Sequence, residues 1–486
     1  MKRFEVLGVI LLTGILLLGI SFYAPDIEMG GTNGEGLSLR FMSSSELLDF
    51  KIKANSEKVD SIINSLEKQA YGINEHRLIL STAIGGALFV QSPHLINPAV
   101  GEGKALDNFF RALERCDSSL VRVGHFGDSQ IEGDRLTSLL RIFFQNEFKG
   151  NGVGFVPIDD ITSPVSYART TSQNWKRNTV FKDRSEKGLY CLGGVSFHYS
   201  FATSVVKHDT VRKANDTSIV YSTNASVYLK LFRAYSTASI WYGGADEPCH
   251  VQVFNSKNDE LIAEADLNKA DGFNVKKLDL KSNPSSVRFC FSGPSPEIYG
   301  MSFDPLSGIQ FDNFGLRGHS GDGLMSVGRV FLEKQINTLN MRLIVLQFGG
   351  NVTPYVKNEG TLSYIEKSYN NLYKHFRDAN PSGSVLVIGV NDVARQVGSG
   401  GFESYPMVSR IRDVQKKVAI ANGCAFFDLY ELMGGESSVL AWSKKGLASH
   451  DGHYSDKGRE LVGSALFKAL IGEYEKYKFR DKMKNL

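Results

Sequence analysis

The chain has 486 residues, of which 42% are hydrophobic and 22% are charged, and its formal net charge at pH 7 is +3. This length exceeds one ordinary hydrophobic core, so two domains or one domain with a large insertion are expected. The composition is that of a folded globular protein, and the small net charge without a basic stripe argues against a nucleic-acid partner. The five cysteines are scattered. They lack the paired spacing of a zinc site, and we predict neither a metal nor a cofactor.

The first 25 residues predict a membrane anchor or a signal peptide. Lys2 and Arg3 precede an apolar run from Val6 to Tyr23 that is long enough to cross a bilayer. Because no clean small-residue cleavage site follows, we favour an uncleaved anchor. The rest of the chain is then exported to the periplasmic or cell-surface side and tethered to the inner membrane. Residues 26–115 are interpreted as a linker and an N-terminal helical segment.

A strand–helix alternation begins near residue 120, stops near 160 and resumes near 308. Apolar strand runs separated by helical patterns predict an α/β fold with a doubly wound parallel sheet, divided between residues 116–164 and 308–478. The predicted strands cover 120–126, 308–315, 343–348, 385–388 and 425–429. The predicted helices cover about 132–148, 322–338, 362–379, 405–421 and 456–476.

Residues 165–307 interrupt that alternation with a different pattern. Short runs of alternating apolar and polar residues are separated by turn residues, as at 225–232, 250–254 and 286–291. This pattern predicts an inserted antiparallel β-sandwich. Four of its aromatic residues are candidates for stacking on sugar rings, with core packing as the alternative for each: Trp175, Trp241, Tyr242 and Tyr235.

The tripeptide Gly127-Asp128-Ser129 directly follows the first strand of the sheet. It places a serine hydroxyl at the carboxyl end of a strand and above the start of a helix. Open α/β sheets hold their reactive groups there, and helix N–H groups favour developing negative charge. Ordinary turn chemistry explains the tripeptide equally well when it is taken alone.

Three further blocks supply what a serine nucleophile needs. Gly318 follows the second strand, Asn351 follows the third, and Asp451 and His453 precede the last helix. A histidine accepts the serine proton and a carboxylate orients the histidine, while backbone and amide N–H groups stabilise the oxyanion. Each residue alone is explained by a turn glycine, a helix N-cap or a structural histidine. Together, in this order, they predict a catalytic site.

In order and spacing, these blocks resemble the SGNH (GDSL-type) hydrolases over about 120–160 and 308–475. The resemblance implies a flavodoxin-like sheet, Ser129 as nucleophile, and His453 as general base. It also implies that Gly318 and Asn351 donate to the oxyanion. The phrases at 127–135 and 150–157 are similar to exported members from bacteria of the Bacteroides type. Similar enzymes with an inserted, carbohydrate-module-like β-sandwich include peptidoglycan and other polysaccharide O-acetylesterases.

The chain departs from the family pattern at one position. The family usually has an aspartate three residues before the histidine, where this chain has His450, whereas Asp451 lies two residues before His453. Either a shortened loop lets Asp451 orient His453, or a backbone carbonyl does so and the site works as a dyad. Asp392 also ends a strand, where it either lines the pocket or caps a loop.

The function predicted from these observations is an exported serine esterase. It removes O-acyl groups, and most simply O-acetyl groups, from a cell-envelope or other polysaccharide through an acyl-serine intermediate. One alternative is a polysaccharide or peptidoglycan O-acetyltransferase that uses the same site and a membrane acyl exporter. The other is a non-catalytic glycan-binding protein.

Overall fold

The structure is a computed structural model that describes residues 26–29, 37–40, 57–67, 92–200, 203–207, 217–221, 225–398 and 400–484. The predicted anchor at 1–25 lies outside these residues. Within the described ranges, no helix combines the length and the apolar character needed to cross a bilayer.

A six-stranded sheet, here called the central sheet, organises the α/β part of the chain. Its strands in spatial order are Gly308–Gly315, Leu120–Gly127, Met341–Gln347, Ser384–Ile388, Ala425–Phe427 and Leu95–Ile96. The first five are parallel, and Leu95–Ile96 pairs antiparallel with Ala425–Phe427 at the edge. Numbered along the chain, the parallel strands have the order 2-1-3-4-5, which is the flavodoxin-like order. The predicted parallel, doubly wound sheet is confirmed.

The central sheet is buried on both faces, which explains its nearly continuous apolar strands. In the third parallel strand, Leu343 and Val345 belong to one hydrophobic cluster, whereas Ile344 and Leu346 belong to another. Gly127 lies opposite Gly315 on one side and Gln347 on the other. The segments that follow these three strands therefore start at the same level, on the edge where ligands bind in such sheets.

Helices cover the faces of the central sheet and differ from the predicted bounds mainly at their ends. The α-helices are 57–67, Asp107–Leu113, Arg135–Phe148, Arg329–Thr338, Glu359–Ala379, Val408–Ala421, Leu429–Met433, Ser438–Lys444 and Asp456–Lys484. Single 3₁₀ turns cover Glu132–Asp134, Asp322–Ser326 and Thr353–Tyr355. The helix predicted at 322–338 starts only at Arg329, because Val327 has an extended backbone that separates it from the preceding 3₁₀ turn.

Two antiparallel sheets lie in sequence between the first and second parallel strands. One contains Gly154–Val156, Trp175–Thr179, Val195–Tyr199, Thr237–Gly243, Asn274–Leu278 and Glu297–Asp304. The other contains Tyr167–Thr171, Ala225–Leu231, Cys249–Asn255, Glu260–Leu267 and Ser286–Ser292. Both contribute residues to one hydrophobic cluster. The division at 165–307 and its interpretation as an inserted, carbohydrate-module-like sandwich stay predictions.

Four two-stranded hairpins complete the described elements. They are Asp26–Met29 with Leu37–Arg40, Ala99–Val100 with Gly103–Lys104, Thr203–Lys207 with Thr217–Tyr221, and Ala394–Val397 with Gly401–Ser404.

A buried ionic cluster joins the antiparallel sheets to the central sheet. Arg122 donates to Asp312 at 2.8 Å within the central sheet and to Asp304 at the end of Glu297–Asp304. The backbone N–H of Phe155 also donates to Asp312, at 2.9 Å. The Arg122 guanidinium lies 5.3 Å from the centre of the Trp241 ring. These contacts hold the two parts of the chain together beneath the edge that carries Ser129.

Candidate active site

Ser129 lies two residues beyond the strand Leu120–Gly127 and before the 3₁₀ turn Glu132–Asp134. Residues 128–131 form a turn of their own, in which the N–H of Ile131 donates to the carbonyl of Asp128 at 3.2 Å. Arg135, the first residue of the following helix, donates to the Ser129 carbonyl at 3.0 Å. The serine is therefore held at the carboxyl end of the central sheet, where the sequence predicts it.

The structure brings Ser129, His453 and Asp451 together as a hydrogen-bonded chain. The Nε2 atom of His453 lies 2.7 Å from the Ser129 Oγ atom. The Nδ1 atom of His453 lies 3.0 Å from an Asp451 carboxylate oxygen. A proton on Nδ1, donated to Asp451, leaves Nε2 free to accept the serine proton. This arrangement favours the shortened loop over a backbone carbonyl as the means of orienting His453.

Asp451 is held by its own loop. The Ser449 hydroxyl donates to one Asp451 oxygen, and the Ser449 N–H donates to the His453 carbonyl at 2.8 Å. Burial opposes ionisation of Asp451, but the hydrogen bond from Ser449 and the charge of His453 outweigh it and hold the pKa below its usual value. Asp451 is therefore an anion at neutral pH, as the orienting role requires.

Two amide side chains that the sequence analysis did not single out hold the loop of the general base. Gln130 donates to the Gly452 carbonyl at 2.6 Å, and Asn391 donates to the same oxygen at 3.1 Å. Gly452 lies between Asp451 and His453, so these bonds fix the backbone that carries both. Gln130 and Gly452 are 322 residues apart in sequence. No local signal predicts such a contact.

Asn351 lies at the carboxyl end of the third parallel strand and contacts the residue before the serine. Its amide nitrogen donates to the buried Asp128 carboxylate at 3.0 Å and to the His319 carbonyl at 3.2 Å. Burial raises the pKa of Asp128 to about 6, although the Gln130 N–H donates to it. To donate to an oxyanion, Asn351 must turn one N–H away from these two acceptors. Its predicted role stays a prediction.

Gly318 follows the second parallel strand, in the loop that leads to His319. The Leu316 N–H donates to the Gly127 carbonyl at 2.9 Å, which ties this loop to the serine strand. Gly318 has a φ of +74°, and a Cβ atom there meets nothing within 4 Å. The positive φ favours glycine and the space beside it is open. Donation of its N–H to an oxyanion stays a prediction.

Other polar residues near these strands have structural partners. Asp392 accepts from the Ser404 hydroxyl at 2.8 Å and from the Val439 N–H at 3.0 Å, which favours the loop-capping alternative. His125 is buried between Gln347 and Thr137, and burial lowers its pKa to about 4.

In the described part of the chain, no three histidine, cysteine or acidic side chains are grouped so as to hold a metal ion.

The aromatic candidates for sugar stacking are mostly buried. Trp241, Tyr235 and Tyr242 expose 6% or less of their surface. Trp175 is half-buried, and its Nε1 atom donates to the Ser226 carbonyl at 3.1 Å. These contacts correspond to the core-packing alternative.

Part of the chain matches a known protein family in sequence. Residues 295–461 match the GDSL-like Lipase/Acylhydrolase family. The match includes Gly318, Asn351, Asp451 and His453 but not Ser129, which the central sheet brings to the same site. No curated protein matches the chain in sequence.

One of the similar solved structures, a peptidoglycan O-acetylesterase, supports the fold. A structure of a peptidoglycan O-acetylesterase is 18% identical, with a TM-score of 0.59, and the alignment covers 79% of this chain and 99% of that one. An acetylxylan esterase from Geobacillus stearothermophilus is 15% identical over 34% of this chain and 73% of its own, with a TM-score of 0.25.

Proposed function

We propose that this protein is a serine esterase that removes O-acetyl groups from a polysaccharide through an acyl-serine intermediate. The observation that carries the proposal is the chain of contacts from Ser129 Oγ to His453 Nε2, at 2.7 Å, and from His453 Nδ1 to Asp451, at 3.0 Å. Glycan binding alone does not require a serine hydroxyl aligned with a histidine and a carboxylate, whereas nucleophilic catalysis does. The match of residues 295–461 to GDSL-like hydrolases and the fold shared with a peptidoglycan O-acetylesterase support an acetylesterase that acts on glycans.

In the first half of the reaction, the Ser129 oxygen attacks the carbonyl carbon of the acetyl ester while His453 Nε2 takes the hydroxyl proton. Asp451 stabilises the imidazolium that forms. The N–H groups of Ser129, Gly318 and Asn351 are the proposed donors to the oxyanion. When the tetrahedral intermediate collapses, the bond to the sugar oxygen breaks and that oxygen takes the proton from His453. The products are a free sugar hydroxyl and acetyl-Ser129.

In the second half, water replaces the sugar. His453 Nε2 takes a proton from the water, whose oxygen attacks the acetyl-Ser129 carbonyl carbon. The tetrahedral intermediate then releases Ser129, which recovers its proton from His453, and acetate leaves. The side chain of His453 is 37% exposed. Water therefore reaches the group that must activate it.

The proposed location is the periplasmic or cell-surface side, with residues 1–25 as the tether. The positive Lys2 and Arg3 followed by the apolar run to Tyr23 support this orientation. The segment 165–307 is proposed to be an inserted, carbohydrate-module-like β-sandwich that presents glycan to the site.

The test measures acetate release by the full-length protein from 4-nitrophenyl acetate, O-acetylated peptidoglycan and acetylated xylan. Ser129→Ala is expected to lower kcat by at least about 10³-fold on every ester, because no other group replaces the nucleophile. The matched control is Ser363→Ala, an exposed serine whose hydroxyl donates to the Glu359 carbonyl within a helix. Serine-dependent turnover of the small ester without acetate release from any glycan would contradict a glycan esterase and favour the transferase.

A further inference from the structure

Two exposed phenylalanine rings lie against the loops that carry the catalytic set. Phe402, at 40% exposed, stacks flat on His450, with ring centres 3.8 Å apart and an interplanar angle of 10°. Phe181, at 48% exposed, lies 5.4 Å from the His319 ring. His450 is three residues before His453, and His319 directly follows Gly318. Each ring therefore lies beside one of the two loops that define the site.

Phe402 is held in a fixed position. Its hairpin, Ala394–Val397 with Gly401–Ser404, is closed by an ion pair between Arg395 and Glu403 at 2.7 Å. The Ala394 N–H donates to the His450 carbonyl at 2.8 Å, which ties the hairpin to the loop of the general base. These contacts restrict the hairpin that carries the ring, which lowers the loss of conformational freedom when a ligand binds to it.

Phe181 comes from a different part of the chain. It lies between the strands Trp175–Thr179 and Val195–Tyr199 of the antiparallel segment, in a turn where Lys182 accepts from the Thr179 hydroxyl at 2.7 Å. The ring contacts His319, which is 4% exposed. The carbonyl of His319 accepts from Asn351. The antiparallel segment thus adds an apolar surface to the loop of the proposed oxyanion donors.

Exposed aromatic rings in fixed positions are suited to flat ligands with an apolar face. A pyranose ring has such a face, formed by its axial C–H groups, whereas an acetyl group has no ring to stack. Each phenylalanine ring offers a large, rigid apolar contact area, which suits it to a ligand of this shape.

We propose that Phe402 and Phe181 form two sugar-stacking subsites, one at the loop of His453 and the other at the loop of Gly318. This inference rests on the proposed function and specifies its substrate: a glycan chain of several sugar units, with the acetylated unit at Ser129 and neighbouring units on the two rings. The aromatic residues that the sequence offers as sugar-stacking candidates are not the ones that carry this surface.

The experiment compares Phe402→Ala, Phe181→Ala and the double variant in the full-length protein. Each single change is expected to lower kcat/KM for O-acetylated peptidoglycan or acetylated xylan by about 3- to 10-fold more than for 4-nitrophenyl acetate, through a higher KM. The double change is expected to give roughly the product of the two losses, because the rings belong to separate loops. Phe402→Trp, which keeps a stacking face, is expected to restore most of the loss.

Tyr364→Ala is the matched control, since this tyrosine is 70% exposed on the helix Glu359–Ala379. It is expected to leave both activities unchanged. Equal losses on polymer and small ester, or no loss on the polymer, would overturn the subsites while leaving the esterase intact.

If the wild-type protein releases no acetate from any glycan, the proposed function fails and the subsites are judged by binding alone. Titration of Ser129→Ala with unacetylated peptidoglycan fragments and xylo-oligosaccharides then decides. Binding that weakens on adding Phe402→Ala or Phe181→Ala supports the subsites. If Ser129→Ala binds no glycan, or binds glycan equally well with and without the phenylalanine changes, the subsites are overturned.

Discussion

The exposed carboxylate of Asp451 makes the orientation of His453 the part of the site most open to quantitative test. Asp451 is 66% exposed, and its oxygen lies 3.0 Å from His453 Nδ1. Replacing it by asparagine keeps the size of the side chain but removes the charge that stabilises the imidazolium in the transition state. An amide also offers no preference for the tautomer with the proton on Nδ1.

The structure sets the size of the effect. Two unit charges 3.0 Å apart attract each other by about 1.4 kcal/mol in water and about 5.5 kcal/mol at an effective dielectric constant of about 20. Because two thirds of the Asp451 side chain is in solvent, screening places the loss in the lower half of this interval, at about 1.4 to 3 kcal/mol. Asp451→Asn should therefore lower kcat by about 10- to 150-fold.

The assay is steady-state hydrolysis of 4-nitrophenyl acetate by the full-length protein, with kcat and KM determined separately. KM is expected to change little, because Asp451 acts through His453 and not on the ester. The control is Asp456→Asn, which changes a 91% exposed carboxylate at the start of the helix Asp456–Lys484 that pairs with Arg459 of the same helix. A kcat within twofold of wild type would refute the orienting role and support a dyad. A loss near 10⁴-fold would show that solvent does not screen this pair.

Three further predictions concern Gln130, Asp128 and the buried Arg122. Gln130→Ala should lower kcat about tenfold with little change in KM, because Gly452 loses its 2.6 Å hydrogen bond and the His453 loop becomes less well placed. Asp128→Asn should raise Tm at pH 7 to 8 but not at pH 4, because burial raises the Asp128 pKa from 3.8 to about 6. The carboxyl of Asp128 loses its proton near pH 3.8 in the unfolded chain but only near pH 6 in the folded protein. The free energy of unfolding of the wild type therefore falls by about 3 kcal/mol as the pH rises through this interval. Arg122→Ala should lower the free energy of unfolding by about 3 to 5 kcal/mol, since it leaves two buried carboxylates without their shared partner.

Each of these predictions has an outcome that contradicts it. For Gln130, the contradictory result is a rise in KM with kcat unchanged, which would place this side chain in substrate binding. For Asp128, it is a Tm difference that does not vary between pH 4 and pH 8. For Arg122, the control in chemical denaturation is Lys149→Ala, which removes a pair with Asp117 that is more than 70% exposed on both sides. Because solvent screens this pair, the change should lower the free energy of unfolding far less than Arg122→Ala does. A similar loss in both variants would show that burial of Arg122 adds nothing.

The parallel sheet was predictable because each of its strands is marked by a short apolar run in the sequence. The apolar run Leu343 to Leu346 reads as a strand buried on both faces, and the structure assigns alternate residues of it to two hydrophobic clusters. Helix ends were less predictable. The last helix continues to Lys484, beyond the predicted 476, because Tyr477 packs against Phe110 with ring centres 5.7 Å apart. That contact joins segments more than 360 residues apart, so no local sequence pattern predicts it.

The sequence by itself determined that Ser129, Gly318 and Asn351 each follow an apolar strand, and that His453 precedes the last helix. Strand ends carry reactive groups in such sheets, so residue type and order sufficed to select them. Only the tertiary structure decided that Asp451 reaches His453 despite its shorter spacing, because loop curvature is set by Gln130 and Asn391 on the Gly452 carbonyl. It also decided which aromatic rings stay in solvent. Exposure depends on packing between distant segments, which alternation along one strand does not encode.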